Sequence, residues 1–163
     1  MKKNNSKFTR RSTAEQVTEG IDLNGKTVLI TGVNSGLGFE SMCILAMCGA
    51  HIIAAARSLE KAEQACAEVK TLVQGATMTP VACELSEPES VLACVKAVQE
   101  KFTAIDILMA NAGIMSPATL QIANGYAQPL EMQFATNHIG HFLLINHLLP
   151  QLKNAQQARI VLL

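Results

Sequence analysis

Short runs of strand-forming residues alternate with segments of helical length, and this alternation restricts the possible fold more than any other feature of the chain. The runs cover residues 27–31, 51–55, 77–83 and 107–110, and a fifth apolar run at 159–163 ends the sequence. Strands joined through helices pair in parallel, and the connecting helices cover both faces of the sheet. The pattern therefore predicts an α/β fold with a doubly wound parallel sheet of the Rossmann dinucleotide-binding type.

Local end signals refine two of the predicted helices. Ser86 is placed as the N-cap of one helix, with Pro88 as its first helical residue. A later helix, from about residue 129 or 130 to 152, follows a loop at 114–128 and is expected to present Phe134, Ile139, Phe142, Leu143 and Ile145. The helix that begins near Ser86 is predicted to lie against the sheet.

Length and composition indicate one globular domain with a short extension. The chain has 163 residues, and a domain of this size buries about 70% of its unfolded-chain surface. Residues 1–25 are predicted to form a polar basic tail and a short lead-in helix, and residues 26–163 an incomplete Rossmann domain. The four residues Ser12-Thr13-Ala14-Glu15 have the S-x-x-E spacing of a capping box, which predicts a helix through about Glu19.

The charge distribution bears on partners and location. The first eleven residues carry five of the 13 basic side chains, at Lys2, Lys3, Lys7, Arg10 and Arg11. Such a tail can bind nucleic acid or anionic lipid, but a solvated terminus is the favoured interpretation, without a nucleic-acid partner. The longest apolar stretch, at 42–56, is too short to span a bilayer, and no apolar segment follows the tail. We therefore expect a cytoplasmic protein with no membrane span.

Cysteine and histidine do not form a recognisable metal motif. The five cysteines are scattered without a CxxC pair, which favours reduced and buried thiols. His138 and His141 fall on one face of a predicted helix, but no cluster of Cys, Asp or Glu accompanies them. We expect no metal site.

A glycine-rich loop joins the first predicted strand to the first long helix. It reads Thr31-Gly32-Val33-Asn34-Ser35-Gly36-Leu37-Gly38. Glycines permit a tight turn and close backbone approach, and a helix N-terminus offers free amides to a pyrophosphate. Gly38, in the first helical turn, would let helix and strand pack closely. The loop is neither GxGxxG nor a P-loop, so by itself it leaves a purely structural turn open.

Three motifs together resemble the short-chain dehydrogenase/reductase family. The loop at 31–38 resembles the family's TGxxxGxG, Asn111-Ala112-Gly113 resembles its NAG motif, and Asn137 resembles its helix-four asparagine. The lead-in at 12–26 and the NHxGHF sequence around Asn137 are most similar to the retinol-dehydrogenase-like and WW-domain-oxidoreductase-like branch. The resemblance covers residues 12–163 and corresponds to the N-terminal portion of the family.

The resemblance implies a cofactor site and a brace between strands. Thr31 and Asn111 would mainly hold the strands together by hydrogen bonds. The residues that the resemblance places at the dinucleotide are Gly32, Asn34, Ser35, Gly36, Leu37, Gly38, Arg57, Glu84, Leu85, Asn111, Ala112 and Gly113. Glu84 stands where the family usually has an Asp that contacts the adenine amino group.

Arg57 bears on the choice of cofactor. It follows the second strand, and Ala56 precedes it where an acid would bind the ribose 2′-hydroxyl of NAD. An arginine instead offers a charged fork to the 2′-phosphate of NADP. NADP(H) is therefore favoured over NAD(H), and the alternative is that Arg57 is a solvated loop residue.

The resemblance also implies a set of catalytic residues, and this sequence contains one of them. In the family, a Tyr acts as acid or base in hydride transfer between nicotinamide and an alcohol or carbonyl, and a Lys four residues later lowers its pKa. A Ser orients the substrate, and the helix-four Asn supports a water-linked proton relay. Of that catalytic set only Asn137 is present, and Tyr126 has Leu130 in place of the Lys.

Two functions stay open. We expect the chain to be truncated within strand five and to be the N-terminal, cofactor-binding part of an NADP(H)-dependent short-chain oxidoreductase acting on a small alcohol or carbonyl substrate. A homo-oligomer is expected for the complete enzyme only. The alternative is a non-catalytic nucleotide-binding or interaction module.

Overall fold

A computed structural model describes residues 7–163, and the five strands of its parallel sheet appear where the sequence predicts them. In this part of the chain the strands are β1 (Thr27–Thr31), β2 (His51–Ala56), β3 (Met78–Ala82), β4 (Ile107–Ala110), β5 (Ile122–Ala123), β6 (Leu130–Glu131) and β7 (Arg159–Leu162). Five of them form a parallel sheet in the order β3-β2-β1-β4-β7. This confirms the predicted α/β fold. In the short antiparallel pair, β5 lies in the region predicted as loop, and β6 lies where the fourth long helix was predicted to begin.

Helices connect the strands of the sheet. They are α1 (Ala14–Thr18), α2 (Gly36–Met47), α3 (Leu59–Leu72), α4 (Pro88–Lys101), α5 (Met132–Phe134) and α6 (His141–Asn154), with a π-helical segment, Ala135–Gly140, between the last two. The helices α5 and α6 and this π-helical segment follow one another without a break. An extra residue in a turn changes which side chains face the sheet, and such π-helical turns occur often at functional sites.

The two faces of the sheet carry separate apolar cores. Val28 and Ile52 belong to the core that contains the buried residues of α2 and α3, whereas Leu29 and Ile53 belong to the core with α4 and α6. Neighbouring residues on a strand point to opposite faces, so a strand covered on both sides is apolar throughout. All four side chains are fully buried. Truncating one of them to Ala would cost about 2–5 kcal/mol.

The predicted capping box is displaced by one residue. The Thr13 hydroxyl accepts from the Gln16 amide at 3.2 Å, and the Gln16 side chain accepts from the Thr13 amide at 3.0 Å. Ser12 is not the cap, because its hydroxyl accepts from the Thr9 amide in the preceding turn. The lead-in helix itself is present as α1.

The predicted N-cap of α4 is wrong. Glu87 occupies that position, and Pro88 is the first helical residue as expected. The Ser86 hydroxyl donates instead to Oε1 of Glu84 at 2.9 Å, and the Ser86 amide donates to the same oxygen at 3.1 Å. The nearby carboxylate thus takes both donors of Ser86 before the helix begins.

The buried face of the fourth long helix also differs from the prediction. Phe134 and Phe142 are about half exposed, at 49% and 59%. The wider π-helical turn rotates the following residues, so that a stripe beginning at Ala135 faces inward. Its members are Ala135, Thr136, Gly140, His141, Leu144, Leu148 and Leu152. The helix begins at Met132, directly after β6, instead of at residue 129 or 130.

The remaining expectations concern thiols, membranes, metals and the tail. Cys48 is half-buried and the other four cysteines are buried, and all five are free thiols. Across residues 7–163, no helix has both the length and the apolar character needed to cross a bilayer. The same residues contain no group of three or more metal-ligating side chains. Lys2 and Lys3 of the predicted tail lie outside the described residues, and the boundary at residue 25 stays a prediction.

Candidate functional site

A cleft of about 630 Å³ opens at the carboxyl ends of β1, β2, β3 and β4. Parallel sheets bind ligands at this edge, at the point where the strand order reverses. The residues that were predicted from the sequence and that line the cleft are Gly32, Asn34, Ser35, Leu37, Gly38, Arg57, Glu84, Leu85, Asn111, Ala112 and Gly113. Gly36 and Asn137 do not line it. The fold thus brings together residues that span some eighty positions of the sequence.

The N-terminus of α2 is open toward an anion. Ser35 is the N-cap residue, with extended backbone at φ −168°, and its side chain makes no capping hydrogen bond. The first turn of α2 contains no acidic residue. The first amides of a helix have no partner within the helix, and the helix dipole places partial positive charge there. These amides can therefore receive a phosphate group.

The three glycines of the loop serve different physical needs. A Cβ on Gly32 would lie 2.8 Å from Cα of Ala112, and one on Gly38 would meet the Gly32 carbonyl and lie 2.5 Å from Nδ2 of Asn111. Gly32 and Gly38 therefore allow backbone segments to approach closely, which confirms the close packing predicted for Gly38. Gly36 has open space around it, but its φ of +59° is a left-handed conformation that favours glycine.

Thr31 and Asn111 hold the ends of β1 and β4 together. The Thr31 hydroxyl accepts from the amides of Asn111 and Ala112, both at 3.0 Å. In the other direction, Nδ2 of Asn111 donates to the Thr31 carbonyl at 2.9 Å. The glycine loop and the Asn111-Ala112-Gly113 segment start from this shared anchor. Both residues have the bracing hydrogen bonds that the resemblance implied.

A buried histidine joins this anchor to the π-helical segment. His141 is only 5% exposed, and its Nε2 lies 2.9 Å from the Thr31 hydroxyl. Its Nδ1 lies 3.1 Å from the Asn137 carbonyl. Burial lowers the pKa of His141, and the hydrogen bond to the Asn137 carbonyl opposes that shift in part. The imidazole is therefore neutral at physiological pH.

The shared face predicted for His138 and His141 is wrong. His138 is exposed and stacks on Phe134 with ring centroids 5.3 Å apart, whereas His141 points into the core. The π-helical turn between Ala135 and Gly140 separates the two directions. The two imidazoles therefore do not form a joint ligand pair.

Asn137 acts on the chain segment that follows Gly113. Its Oδ1 accepts from the Ile114 amide at 2.9 Å, and its Nδ2 donates to the Ile114 carbonyl at 2.8 Å. Both polar groups of the side chain are thus used by the backbone amide and carbonyl of one residue, Ile114. The segment at 111–114 is therefore bound at both ends. Thr31 binds its first residues, Asn111 and Ala112, and Asn137 binds its last residue, Ile114. The proton-relay role implied by the resemblance stays a prediction.

Arg57 and Glu84 lie on the side of the cleft formed by β2 and β3. Arg57 is exposed, and its guanidinium makes no ion pair with another residue of the described chain. Oε1 of Glu84 is used by Ser86, and the Glu84 amide donates to the Ser90 hydroxyl at 2.9 Å. The contact of Glu84 with adenine stays a prediction. A free guanidinium at this place can receive an anionic group.

Several residues of the site were missed in the sequence. Gln121, Met132 and Thr136 also line the cleft, and the Met132 amide donates to the Gln121 carbonyl beside the β5–β6 pair, which was not predicted. Gly140 packs directly on the Leu85 carbonyl, where a Cβ would collide. A glycine inside a helical pattern signals such an approach. His141 had a signal too, because it falls in one helical stripe with Leu144 and Leu148.

Tyr126 lies apart from the cleft lining. Its hydroxyl is buried without a hydrogen-bond partner among residues 7–163. Burial raises the pKa of this phenol. A general acid or base at neutral pH needs the opposite shift, toward 7. The environment of Tyr126 thus agrees with its dismissal as the family's catalytic tyrosine.

Comparisons with known proteins show the same family as the sequence motifs. The profile of the short chain dehydrogenase family matches residues 26–163. Short-chain dehydrogenase TIC 32 B, chloroplastic, of Brassica napus is 37% identical over 150 residues, which are 92% of this chain and 46% of that protein. Retinol dehydrogenase 11 of Homo sapiens is 35% identical over 144 residues, 88% of this chain and 44% of that protein. The chain spans about half the length of these curated relatives.

Solved structures share the fold as well. L-sorbose reductase from Gluconobacter frateurii, in complex with NADPH and L-sorbose, matches with a TM-score of 0.69 at 26% identity, over 86% of this chain and 52% of that one.

The sequence relatives also bear on the branch of the family. Retinol dehydrogenases and a WW domain-containing oxidoreductase both occur among them, which confirms the predicted branch.

Proposed function

The chain belongs to the short-chain dehydrogenase family, and we propose that it forms the NADP(H)-binding part of an oxidoreductase that transfers hydride between nicotinamide and an alcohol or carbonyl substrate. The observation that carries the proposal is the open N-terminus of α2 beside a glycine loop, at the switch point of the sheet. A pyrophosphate fits there because free amides and the helix dipole meet it without a competing acid.

The geometry of the loop supports this fit. Gly32 and Gly38 bring the loop against Asn111 and Ala112, so the backbone itself forms the floor of the cleft. A Cβ on Gly36 would meet open space, and a side chain there would occupy room beside the helix N-terminus. The residues that would hold the phosphates are therefore Asn34, Ser35, Leu37 and Gly38, mainly through backbone groups.

The preference for NADP(H) rests on Arg57. Its guanidinium has no ion-pair partner in residues 7–163, and it follows Ala56 at the end of β2. A 2′-phosphate would supply the missing partner, whereas the 2′-hydroxyl of NAD(H) would leave the charge uncompensated. The related L-sorbose reductase was solved with NADPH, which agrees with this choice.

The chemistry that follows binding is divided between cofactor and protein. When bound, the nicotinamide ring supplies or accepts the hydride. Thr31 and Asn137 hold the two ends of the segment at 111–114, which forms one wall of the cleft. Such positioning keeps the reacting groups aligned. Asn137 is the one member of the family's catalytic set within these 163 residues, and its part in a proton relay belongs to the proposal.

The comparisons do not favour a non-catalytic module, because the relatives in question are described as dehydrogenases and oxidoreductases. The proposed substrate class is a small alcohol or carbonyl compound. A homo-oligomer for the complete enzyme and a cytoplasmic location remain predictions. The relatives include a protein named as chloroplastic, so the branch is not tied to one compartment.

The test of the proposal is a matched pair of glycine variants. Gly36→Ala adds a methyl group beside the helix N-terminus, and Gly75→Ala adds one at a remote turn. Both glycines have positive φ, +59° and +82°, and open space around Cβ, so both variants should lose about 1–2 kcal/mol of stability through strain. Only Gly36→Ala should weaken NADPH binding, by about tenfold or more, as a steric cost of 1–3 kcal/mol implies.

Calorimetric titration with NADPH and thermal unfolding provide the two readings. Equal NADPH affinity in the two variants would show that the ligand does not approach the backbone at Gly36. Absence of any NADPH or NADH binding by the wild-type protein would reject the proposed function as a whole.

A further inference from the structure

The Thr31 hydroxyl lies at the centre of a buried hydrogen-bond network. Thr31 is 1% exposed and His141 is 5% exposed. Four groups surround this hydroxyl: the amides of Asn111 and Ala112 at 3.0 Å, Nε2 of His141 at 2.9 Å and the Met109 carbonyl at 3.4 Å. A hydroxyl has one hydrogen and two lone pairs, so these four groups compete for three directions.

The direction of each hydrogen bond follows from the partners. The two amides can only donate, and they take both lone pairs of the Thr31 hydroxyl. Its hydrogen is left for either Nε2 of His141 or the more distant Met109 carbonyl. Nδ1 of His141 faces the Asn137 carbonyl, which can only accept, so Nδ1 carries the imidazole hydrogen and Nε2 keeps its lone pair. Thr31 therefore donates to His141.

We propose that His141 is a positioning residue for the dinucleotide cleft: by accepting the Thr31 hydrogen at Nε2, it keeps both lone pairs of Thr31 on the Asn111 and Ala112 amides. This inference rests on the proposed function of the cleft. The network joins β1, the end of β4 and the first residue of α6, and Thr31 and His141 are 110 positions apart in the sequence. The network therefore fixes the position of the loop at 32–38 relative to the segment at 111–113 in the ligand-free protein.

His141 and Asn137 act on the same wall of the cleft from two places. His141 acts through Thr31 at Asn111 and Ala112, and Asn137 binds Ile114 directly. Nδ1 of His141 is in turn bound to the Asn137 carbonyl, so the two residues are one unit. A binding site held in this way loses less conformational freedom when the ligand binds, and this loss would otherwise reduce affinity.

The experiment compares two substitutions at His141 with a matched control. His141→Leu removes the acceptor, and His141→Gln keeps an acceptor oxygen at a similar distance from the backbone. His147→Leu is the control, because His147 is exposed on the same helix. NADPH affinity and the exchange rates of individual backbone amides are measured in the protein expressed from its complete coding sequence.

His141→Leu is expected to weaken NADPH binding about fivefold to tenfold, which corresponds to one lost hydrogen bond of this type. Exchange at the Asn111 and Ala112 amides should accelerate more than exchange along the β1–β2 ladder. His141→Gln should restore affinity to within about threefold of the wild type, and His147→Leu should leave both measurements unchanged. The long-range nitrogen spectrum of His141 should show a proton on Nδ1 and none on Nε2.

A double-mutant cycle with Thr31→Val tests whether His141 acts through the Thr31 hydroxyl. Thr31→Val removes the hydroxyl with little change in shape, so His141→Leu should weaken NADPH binding no further in that background. If His141→Leu does not fold, the Thr31→Val and Thr31→Ser pair replaces it, and only Thr31→Ser should retain affinity.

Three results would overturn the inference. They are a proton on Nε2, equal losses for His141→Leu and His141→Gln with uniformly faster exchange over the sheet, or full additivity with Thr31→Val. If the wild-type protein binds neither NADPH nor NADH, the proposed function fails. The exchange and tautomer measurements then still decide whether His141 holds the two amides.

Discussion

The two ends of the parallel sheet treat polar groups in opposite ways. At the amino end, Lys26 pairs with Asp106 at 2.9 Å, the other oxygen of Asp106 accepts from the Thr27 amide at 3.0 Å, and Nε2 of His51 bonds to the Thr79 hydroxyl at 2.9 Å. At the carboxyl end, the N-terminus of α2 has no side-chain cap, and Arg57 has no ion-pair partner within the described chain. The named polar groups at the amino end satisfy each other, whereas at the carboxyl end the first amides of α2 and the Arg57 guanidinium remain open to a ligand.

This difference separates stability from binding. Paired groups at the amino end contribute to the free energy of unfolding, and their loss leaves the cleft unchanged. Unpaired groups at the carboxyl end contribute little to the ligand-free fold, and their loss is seen only when a ligand is added. Substitutions at the two ends should therefore affect different measurements.

The largest effect is expected for Arg57→Ala at the carboxyl end. Loss of a charged hydrogen bond to the 2′-phosphate should weaken NADPH binding by about 1.5–3 kcal/mol, and NADH binding should change little. The unfolding free energy should stay within about 0.5 kcal/mol of the wild type, since no protein partner is lost. Calorimetric titration with both cofactors measures this, with Lys61→Ala on the exposed face of α3 as the control.

Equal losses for NADPH and NADH would show that Arg57 does not discriminate between them. A large loss of stability in Arg57→Ala would show that Arg57 has a structural role. It would then contradict the proposed difference between the amino and carboxyl ends of the sheet.

A smaller effect, of the opposite kind, is expected for Asp106→Asn at the amino end. Burial pushes the pKa of Asp106 upward, but hydrogen bonds from the Thr27 amide and Lys26 outweigh it, and the pKa lies below its usual value. Removing the charge should cost about 1–2 kcal/mol of unfolding free energy and leave NADPH affinity unchanged. Chemical denaturation and titration on the same variant provide both numbers.

The contribution of Asp106 also has a defined pH range. Its pKa is lowered by folding, so its stabilisation is present above the unfolded value near 3.8 and is lost as the pH falls through the folded value. Asp106→Asn should remove that part of the acid sensitivity. A variant with unchanged acid sensitivity would exclude Asp106 as its source.

The smallest effect is expected from the histidines. Burial lowers the pKa of His51 and of His141, so the unfolded chain binds protons more readily than the folded one near pH 6. Stability should therefore be complete above about pH 6.5 and should decline below it, by less than about 1 kcal/mol for the half-buried His51. Denaturation between pH 5 and 7.5 measures the slope, and His51→Gln should reduce it without changing NADPH affinity.

Much of the fold and of the cleft follows from local patterns. The apolar runs predicted each strand of the parallel sheet to within one residue, because a strand buried on both faces must be apolar along its whole length. Motif order placed Gly32, Arg57 and Asn111 at one edge, since the carboxyl ends of parallel strands meet there. The predictions that failed concern single hydrogen bonds and helix rotation. Ser86 turned to the Glu84 carboxylate, and the π-helical turn exposed Phe142.

By itself, then, the sequence determined the strands and their parallel pairing through helices, because period, length and turn chemistry act between near neighbours. The resemblance to a family supplied most, but not all, of the residues that line the cleft. Only the tertiary structure decided three contacts: the hydrogen bond of His141 with Thr31, the hydrogen bonds of Asn137 with Ile114 and the packing of Gly140 on the Leu85 carbonyl. Those contacts join residues far apart in the chain, so their existence depends on how helix and sheet are packed. One extra residue in a helical turn is enough to select which side chains reach the site.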